Sequence, residues 1–119
     1  MGEHNEFGRM GEQIATDFLV ENGYEIYARN YRYLNAEVDI IAEKDGILSI
    51  VEVKSRNIGF VEDISDTITK KKIRLLTLAA DHYIIENDLD VEARFDVIIV
   101  VKKQGKFTVE HLENAFHHF

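Results

Sequence analysis

Residues 37–54 read EVDIIAEKDGILSIVEVK, two valine- and isoleucine-rich runs, Glu37–Glu43 and Ile47–Lys54, on either side of Lys44-Asp45-Gly46. An Asp-Gly pair between such runs signals a two-residue β-turn, because both turn positions need a positive φ. With Asp45 and Gly46 as the turn, Lys44 pairs with Ile47, and paired residue numbers sum to 91. Asp39 then faces Glu52, and Glu37 faces Lys54. Alternation places these four charged side chains at one end of one sheet face. The other face carries Val38, Ile40, Ala42, Val51 and Val53 and belongs to the core. A slip of one residue would exchange the two faces, so the turn sets both the core and the charged cluster.

Working outward, Phe7, Met10, Ile14, Ala15 and Phe18 recur at helical spacing, which predicts a helix from Asn5, as its cap, to about Asn22, closed by Gly23. Tyr24–Tyr31 reads as the first strand. After the hairpin, a polar loop with Gly59 leads to a long helix from Ser65 or Asp66 to Glu86. The second half of that helix (Leu75, Leu76, Leu78, Ala79, Ala80, Tyr83, Ile84, Ile85) is apolar on most sides, so it is expected to be buried or to pack a partner. Ala93–Lys102 is a strand, Gln104-Gly105 a turn and Phe107–His111 a final strand, with a last helical turn expected within Leu112–Phe119. The order α-β-β-β-α-β-β describes an α/β domain around a mixed central sheet. We expect one domain over residues 1–119, with 1–5 and 117–119 as loose ends.

The 119 residues include no cysteine and no proline, which excludes a disulfide scaffold, a thiolate metal site and a cysteine nucleophile. No apolar run approaches the roughly 18–20 residues of a membrane span, and the start MGEHNEFGR lacks a signal peptide's apolar stretch. A cytoplasmic protein that does not engage membranes is the expectation. The net charge of −8 argues against a general nucleic-acid binder. The charge is segmented, however. Residues 81–93 and 3–25 each carry −5, whereas the basic residues cluster at 26–35, 54–56, 70–74 and 102–106.

Carboxylates opposed as Asp39 and Glu52 would be, with β-carbons about 4.5–5.5 Å apart, repel unless a proton or a divalent cation intervenes. Mg²⁺ suits the pair, since it takes oxygen ligands and is often held by one or two carboxylates with waters and phosphate oxygens. Lys54 adds a cation that can steady a phosphate oxygen or help deprotonate a metal-acidified water. This set fits metal-assisted phosphodiester hydrolysis better than glycoside hydrolysis, which needs no ammonium. Glu37 and Lys54 also suit an ordinary cross-strand ion pair on a solvated face, worth at most about 1 kcal/mol. Two details favour the site: both carboxylates lie inside apolar runs, and their like charges are opposed.

Asp39, then twelve residues, then Glu52-Val53-Lys54, behind a helix carrying Gly11-Glu12, resembles the PD-(D/E)xK nuclease superfamily. More closely, the chain resembles the bacterial YraN family, whose members look like archaeal Holliday-junction resolvases. The likeness covers nearly the whole chain: Gly11-Glu12, Arg29-Asn30-Tyr31-Arg32, Ala36-Glu37-Val38-Asp39-Ile40-Ile41, Val51-Glu52-Val53-Lys54-Ser55-Arg56, Lys72 with Ala80 and Tyr83, Arg94-Phe95-Asp96-Val97, and Asn114-Ala115-Phe116. Ala36 stands where that family usually has glycine, and no proline precedes Asp39. The resemblance implies a restriction-endonuclease-like fold with Asp39, Glu52 and Lys54 in the catalytic positions. It implies a metal site for Mg²⁺ or Mn²⁺ from Glu12, Asp39, Glu52 and the Val53 carbonyl. It also implies phosphate contacts by Arg56 and Lys72, and a homodimer by analogy with dimeric resolvases.

Other residues carry less. Tyr27, Arg29, Tyr31, Arg32 and Tyr33 interleave base and aromatic as a stacking surface does, yet an amphipathic strand with aromatic core residues explains most of them. Arg32 is kept as a candidate nucleic-acid contact. Lys70, Lys71, Lys72 and Arg74 lie in the first turns of the long helix, where the dipole favours an anion. Asp96 is read as structural, and His82 as a core or interface histidine. His4, His111, His117 and His118 show no metal-ligand spacing. The leading expectation is a Mg²⁺-dependent, structure-selective endonuclease acting on branched or otherwise structured DNA. The alternatives are a non-catalytic nucleic-acid-binding or assembly protein on a nuclease-like scaffold, and a pure protein-interaction domain.

Overall fold

The computed structural model describes residues 2–57 and 68–115, with side chains from residue 6. Its elements are α1 (Gly2–Glu21), β1 (Glu25–Tyr33), β2 (Ala36–Lys44), β3 (Ile47–Asn57), α2 (Lys70–Glu86), β4 (Glu92–Lys103) and β5 (Lys106–Leu112). The strands form one mixed sheet in the order β1-β2-β3-β4-β5, antiparallel throughout except for the parallel β3–β4 pair, which α2 connects. This is the expected α/β order, compatible with a nuclease-like fold. No helix is long and apolar enough to cross a membrane among the described residues.

Helix α1 begins at Gly2, so Asn5 lies inside it rather than capping it. Helix α2 is capped by Thr69, whose hydroxyl accepts the Lys72 N–H at 3.1 Å. The earlier start expected at Ser65 or Asp66 lies outside the described residues. The chain after β5 makes a turn at Glu113 and Asn114, not a helical one. It is tied down by the Asn114 N–H to Asp96 Oδ1 (3.0 Å) and the Ala115 N–H to the Phe95 carbonyl (2.7 Å). The rest of the expected tail helix, residues 116–119, lies outside the description.

Each face of the sheet buries its own core. Ala15, Leu19, Tyr24, Ile40, Ala42, Val51, Ile98 and Val100 pack on the α1 side, and Ala36, Val38, Ile41, Leu48, Ile50, Leu76, Ala79, Ala80, Phe95 and Val97 on the α2 side. Full burial of one of the larger of these side chains contributes about 1.5–3 kcal/mol. Tyr27, Tyr31 and Tyr33 pack against the α2-side core, as the amphipathic-strand reading expected, with the Tyr31 and Tyr83 rings edge to face at 5.1 Å. His82 stacks on Tyr33 at 3.9 Å and reaches Glu86 at 2.5 Å, so it packs α2 against β1. Of the apolar residues in the second half of α2, Leu78 and Ile85 are exposed.

Candidate metal and phosphate site

The β2–β3 turn forms as the Asp45-Gly46 pair requires, with φ of 53° and 80°. Pairing from Lys44–Ile47 to Ile40–Val51 follows the expected register, and there it stops. Asp39–Glu52 and Glu37–Lys54 are therefore not ladder pairs, which corrects the direct opposition read from the sequence. At this point Asp39 Oδ2 accepts the Val53 N–H at 2.8 Å, so a side chain bridges the strands where the ladder has ended. Two carboxylates opposed in a regular ladder would repel, and the Glu52 charge still acts on Asp39 where the ladder has ended.

A second correction concerns the hairpin's apolar face. Val38 belongs to the α2-side core, whereas Ile40, Ala42, Val51 and Val53 belong to the α1 side. Strict alternation cannot put Val38 and Ile40 on opposite faces, so the pleat changes phase at Asp39. On the neighbouring strand, Arg29 pairs with Ile40 and Tyr31 with Val38, and Asn30 between them has a φ of +52°. A left-handed asparagine beside the candidate metal ligand marks a local departure from regular strand geometry.

Asp39 and Glu52 both open on the α2 side of the sheet. Together with Asn35, Ala36, Glu37, Thr69, Lys71, Lys72, Leu75 and Leu76 they line a cavity of about 460 Å³ between the sheet and the start of α2. Glu52 is 8% exposed, and its Oε1 accepts from Lys72 Nζ at 2.5 Å, with Lys54 Nζ at 3.3 Å. Lys54, two residues along β3, thus sits beside Glu52 and does not pair with Glu37. Glu37 instead holds Arg32 at 3.2 Å on the exposed rim. Arg56 Nη1 donates to the Ser55 carbonyl at 2.9 Å.

Burial and then the charge of Glu52 push the Asp39 carboxyl up to about 7, against the Val53 N–H and the Lys72 charge, which favour ionisation. Glu12 on α1 is partly buried, and its pKa is also raised by that burial, which outweighs the Arg29 charge and an Asn30 hydrogen bond. Glu12 is close enough for its charge to act on Asp39. Among the described residues, however, no three His, Asp or Glu side chains are gathered tightly enough to hold one ion. The structure therefore brings Asp39, Glu52, Lys54 and Lys72 together and leaves Glu12 as a neighbour. The donors the site shows are two carboxylates, hard oxygens that fit Mg²⁺ or Mn²⁺ with waters completing the shell.

Thr69 and Asn35 are lining residues the sequence reading missed. Thr69 was legible as an N-cap before the Lys70–Lys72 run. Asn35, in the β1–β2 turn, carries no such signal. Gly11 explains how α1 comes so near: a Cβ there would fall 1.9 Å from Ser55 Oγ and 3.2 Å from Ser55 Cβ, between Lys54 and Arg56.

Residues 11–100 match the model of the uncharacterised protein family UPF0102. The chain is 46% identical to a UPF0102 protein of Flavobacterium psychrophilum over 119 residues, the whole of both chains. It is 43% identical to one of Christiangramia forsetii over 119 residues, again the whole of both. It is 44% identical to one of Bacteroides fragilis over 117 residues, 98% of this chain and 97% of the other. With the family model spanning both halves of the site and full-length relatives above 40% identity, the chain belongs to the UPF0102 family, the YraN family its motifs resemble.

Proposed function

We propose that the protein is a divalent-metal-dependent endonuclease that hydrolyses phosphodiester bonds in branched or otherwise structured DNA. One observation carries this reading: two acidic side chains, the half-buried Asp39 and the buried Glu52, converge on a cavity walled by lysine, and the Asp39 carboxyl is raised to about 7. Such a pair is stabilised by a dication, and perturbed carboxylates in a cleft are a signature of functional sites. When bound, Mg²⁺ or Mn²⁺ supplies Lewis acidity at a phosphoryl oxygen and lowers the pKa of a coordinated water.

The chain's residues take the following parts. Asp39 and Glu52, with the Val53 carbonyl, would hold the ion, and the Val53 N–H fixes the Asp39 carboxylate. Glu12, whose charge reaches Asp39 from α1, would complete the metal site. Lys54, 3.3 Å from Glu52, orients and polarises the attacking water by donating to it from its ammonium, and the water's proton leaves to solvent. Lys72 exchanges Glu52 for a phosphate oxygen when substrate arrives, and Arg56 and Arg32 contact flanking phosphates. Positioning and charge stabilisation are what phosphoryl transfer chiefly requires of a protein.

The test is Mg²⁺-dependent nicking of branched and single-stranded DNA by the wild type and Asp39→Asn. The expected outcome is at least a hundredfold loss, since one ligand of the reacting centre is removed. Equal activity in both proteins would end the proposal. A second reading, a non-catalytic nucleic-acid-binding or assembly protein, is favoured by the Lys72 and Lys54 contacts that already neutralise Glu52. It predicts junction binding that persists in EDTA and no cleavage with any divalent ion.

A further inference from the structure

The basic cluster at residues 102–106 has no part in the site above. Lys102 and Lys103 end β4, Lys106 begins β5, and Gln104-Gly105 turns between them with φ of 51° and 76°. All three lysines are exposed. Lys102 packs its ammonium over the Phe107 ring at 5.9 Å. Lys103 and Lys106 are direct cross-strand partners, and neither has an acidic partner at ion-pair distance among the described residues. Like charges directly opposed on adjacent strands cost stability, and in a chain of net charge −8 nothing obliges both to be lysine. An anion between them removes that cost.

Register connects this pair to the site. Glu52 lies beside Val97 and Arg56 beside Val101 in the parallel β3–β4 ladder. Val97 faces the α2-side core, so alternation puts Glu52, Lys54 and Arg56 of β3, Lys103 of β4 and its partner Lys106 on that same face. Helix α2 packs on β1 and β2. From Val97 to Lys103 the strand rises six residues, about 20 Å at roughly 3.3 Å each. At about 3.4 Å per base step that span corresponds to about six steps of a duplex lying along β3 and β4.

We propose that the β4–β5 hairpin is a second anchor for the DNA backbone, in which Lys103 and Lys106 take adjacent phosphates about six base steps from the bond held at Asp39 and Glu52. This inference rests on the reading that the chain acts on DNA and adds where the helical arm lies. It assigns affinity to the hairpin and chemistry to the carboxylate site.

The test is fluorescence anisotropy of a labelled four-way junction and a linear duplex, with Ca²⁺ in place of Mg²⁺, across a salt series. For Lys103→Gln with Lys106→Gln, the slope of log affinity against log salt should fall by about two for both probes, since each lost phosphate contact removes about 0.9. The urea midpoint should stay level or rise, because the like-charge pair is gone. Lys44→Gln, at the opposite end of the sheet, should leave the slope unchanged. An unaltered slope in the double variant overturns the anchor even if Asp39→Asn abolishes nicking. A reduced slope together with undiminished nicking by Asp39→Asn overturns the endonuclease reading and upholds the anchor. Absence of any DNA binding by the wild type at low salt sinks both.

Discussion

At Gly11 one absent methyl group sets how near α1 comes to the strand that carries the site. A Cβ at this position would meet Ser55 at 1.9 Å from Oγ and 3.2 Å from Cβ. Rotating the hydroxyl relieves the first contact, but only a backbone shift relieves the second. Alanine gains about 1 kcal/mol over glycine in helix propensity, whereas overpacking costs about 1–3 kcal/mol. We therefore expect Gly11→Ala to lower stability by about 1 kcal/mol in urea unfolding. Added to Ser55→Ala it should cost less than it does alone, because the nearer of the two contacts is gone. A stabilised Gly11→Ala protein would mean that α1 stands farther from β3 than described.

At the scale of elements, Asp96 ties together three strands and the turn that follows them. Its buried carboxylate accepts from Arg94 (2.9 Å), the Ser49 hydroxyl and the Asn114 N–H (3.0 Å), and His111 Nε2 lies at 2.8 Å. Burial alone would raise its pKa, but these hydrogen bonds outweigh burial and hold it at about 2. A depressed carboxylate contributes stability that is present above its unfolded value near 4 and is lost as pH falls through 2. That contribution is about 2 kcal/mol. Asp96→Asn should therefore cost about 3 kcal/mol at pH 7, where it leaves Arg94 short of its partner, and should flatten the acid limb of stability between pH 4 and 2. An unchanged acid limb would refute the assignment. The sequence suggested a structural Asp96, since it precedes the apolar run Val97–Val101. Its partners, drawn from positions 47 residues before and 18 after, could not be read from spacing. The hairpin was legible for the opposite reason: its register follows from one turn and a period of two. Legibility ended at Asp39, where repulsion and the left-handed Asn30 interrupt that period. The Lys72–Glu52 contact was hidden too, because it depends on how a helix eighteen residues later packs on the sheet.

Over the whole molecule, the charge of −8 is divided rather than spread. The acidic runs 81–93 and 3–25 together carry −10, more than the net charge, while Lys54, Arg56, Lys103 and Lys106 share one sheet face with the carboxylate pair. Repulsion within that pair is a standing cost to the folded state, so a bound dication should stabilise the protein as a whole. At a hundredfold excess over its dissociation constant the gain is about 2.7 kcal/mol. A saturable rise in Tm with Mg²⁺ or Mn²⁺, absent from Asp39→Asn, is the expected result. A rise equal in both proteins would indicate general screening of the acidic surface instead. The sheet order β1-β2-β3-β4-β5 also follows the order of synthesis, with successive strands adjacent in space throughout, β3 and β4 being joined through α2. Asp39 and Glu52 are thus brought together by contacts of short sequence separation, which close quickly and early. Lys72 and the parallel strand β4 reach them only after a longer loop has closed. The emerging chain therefore assembles its carboxylate pair with Lys54 already beside Glu52, and the second cation, Lys72, joins only when α2 docks.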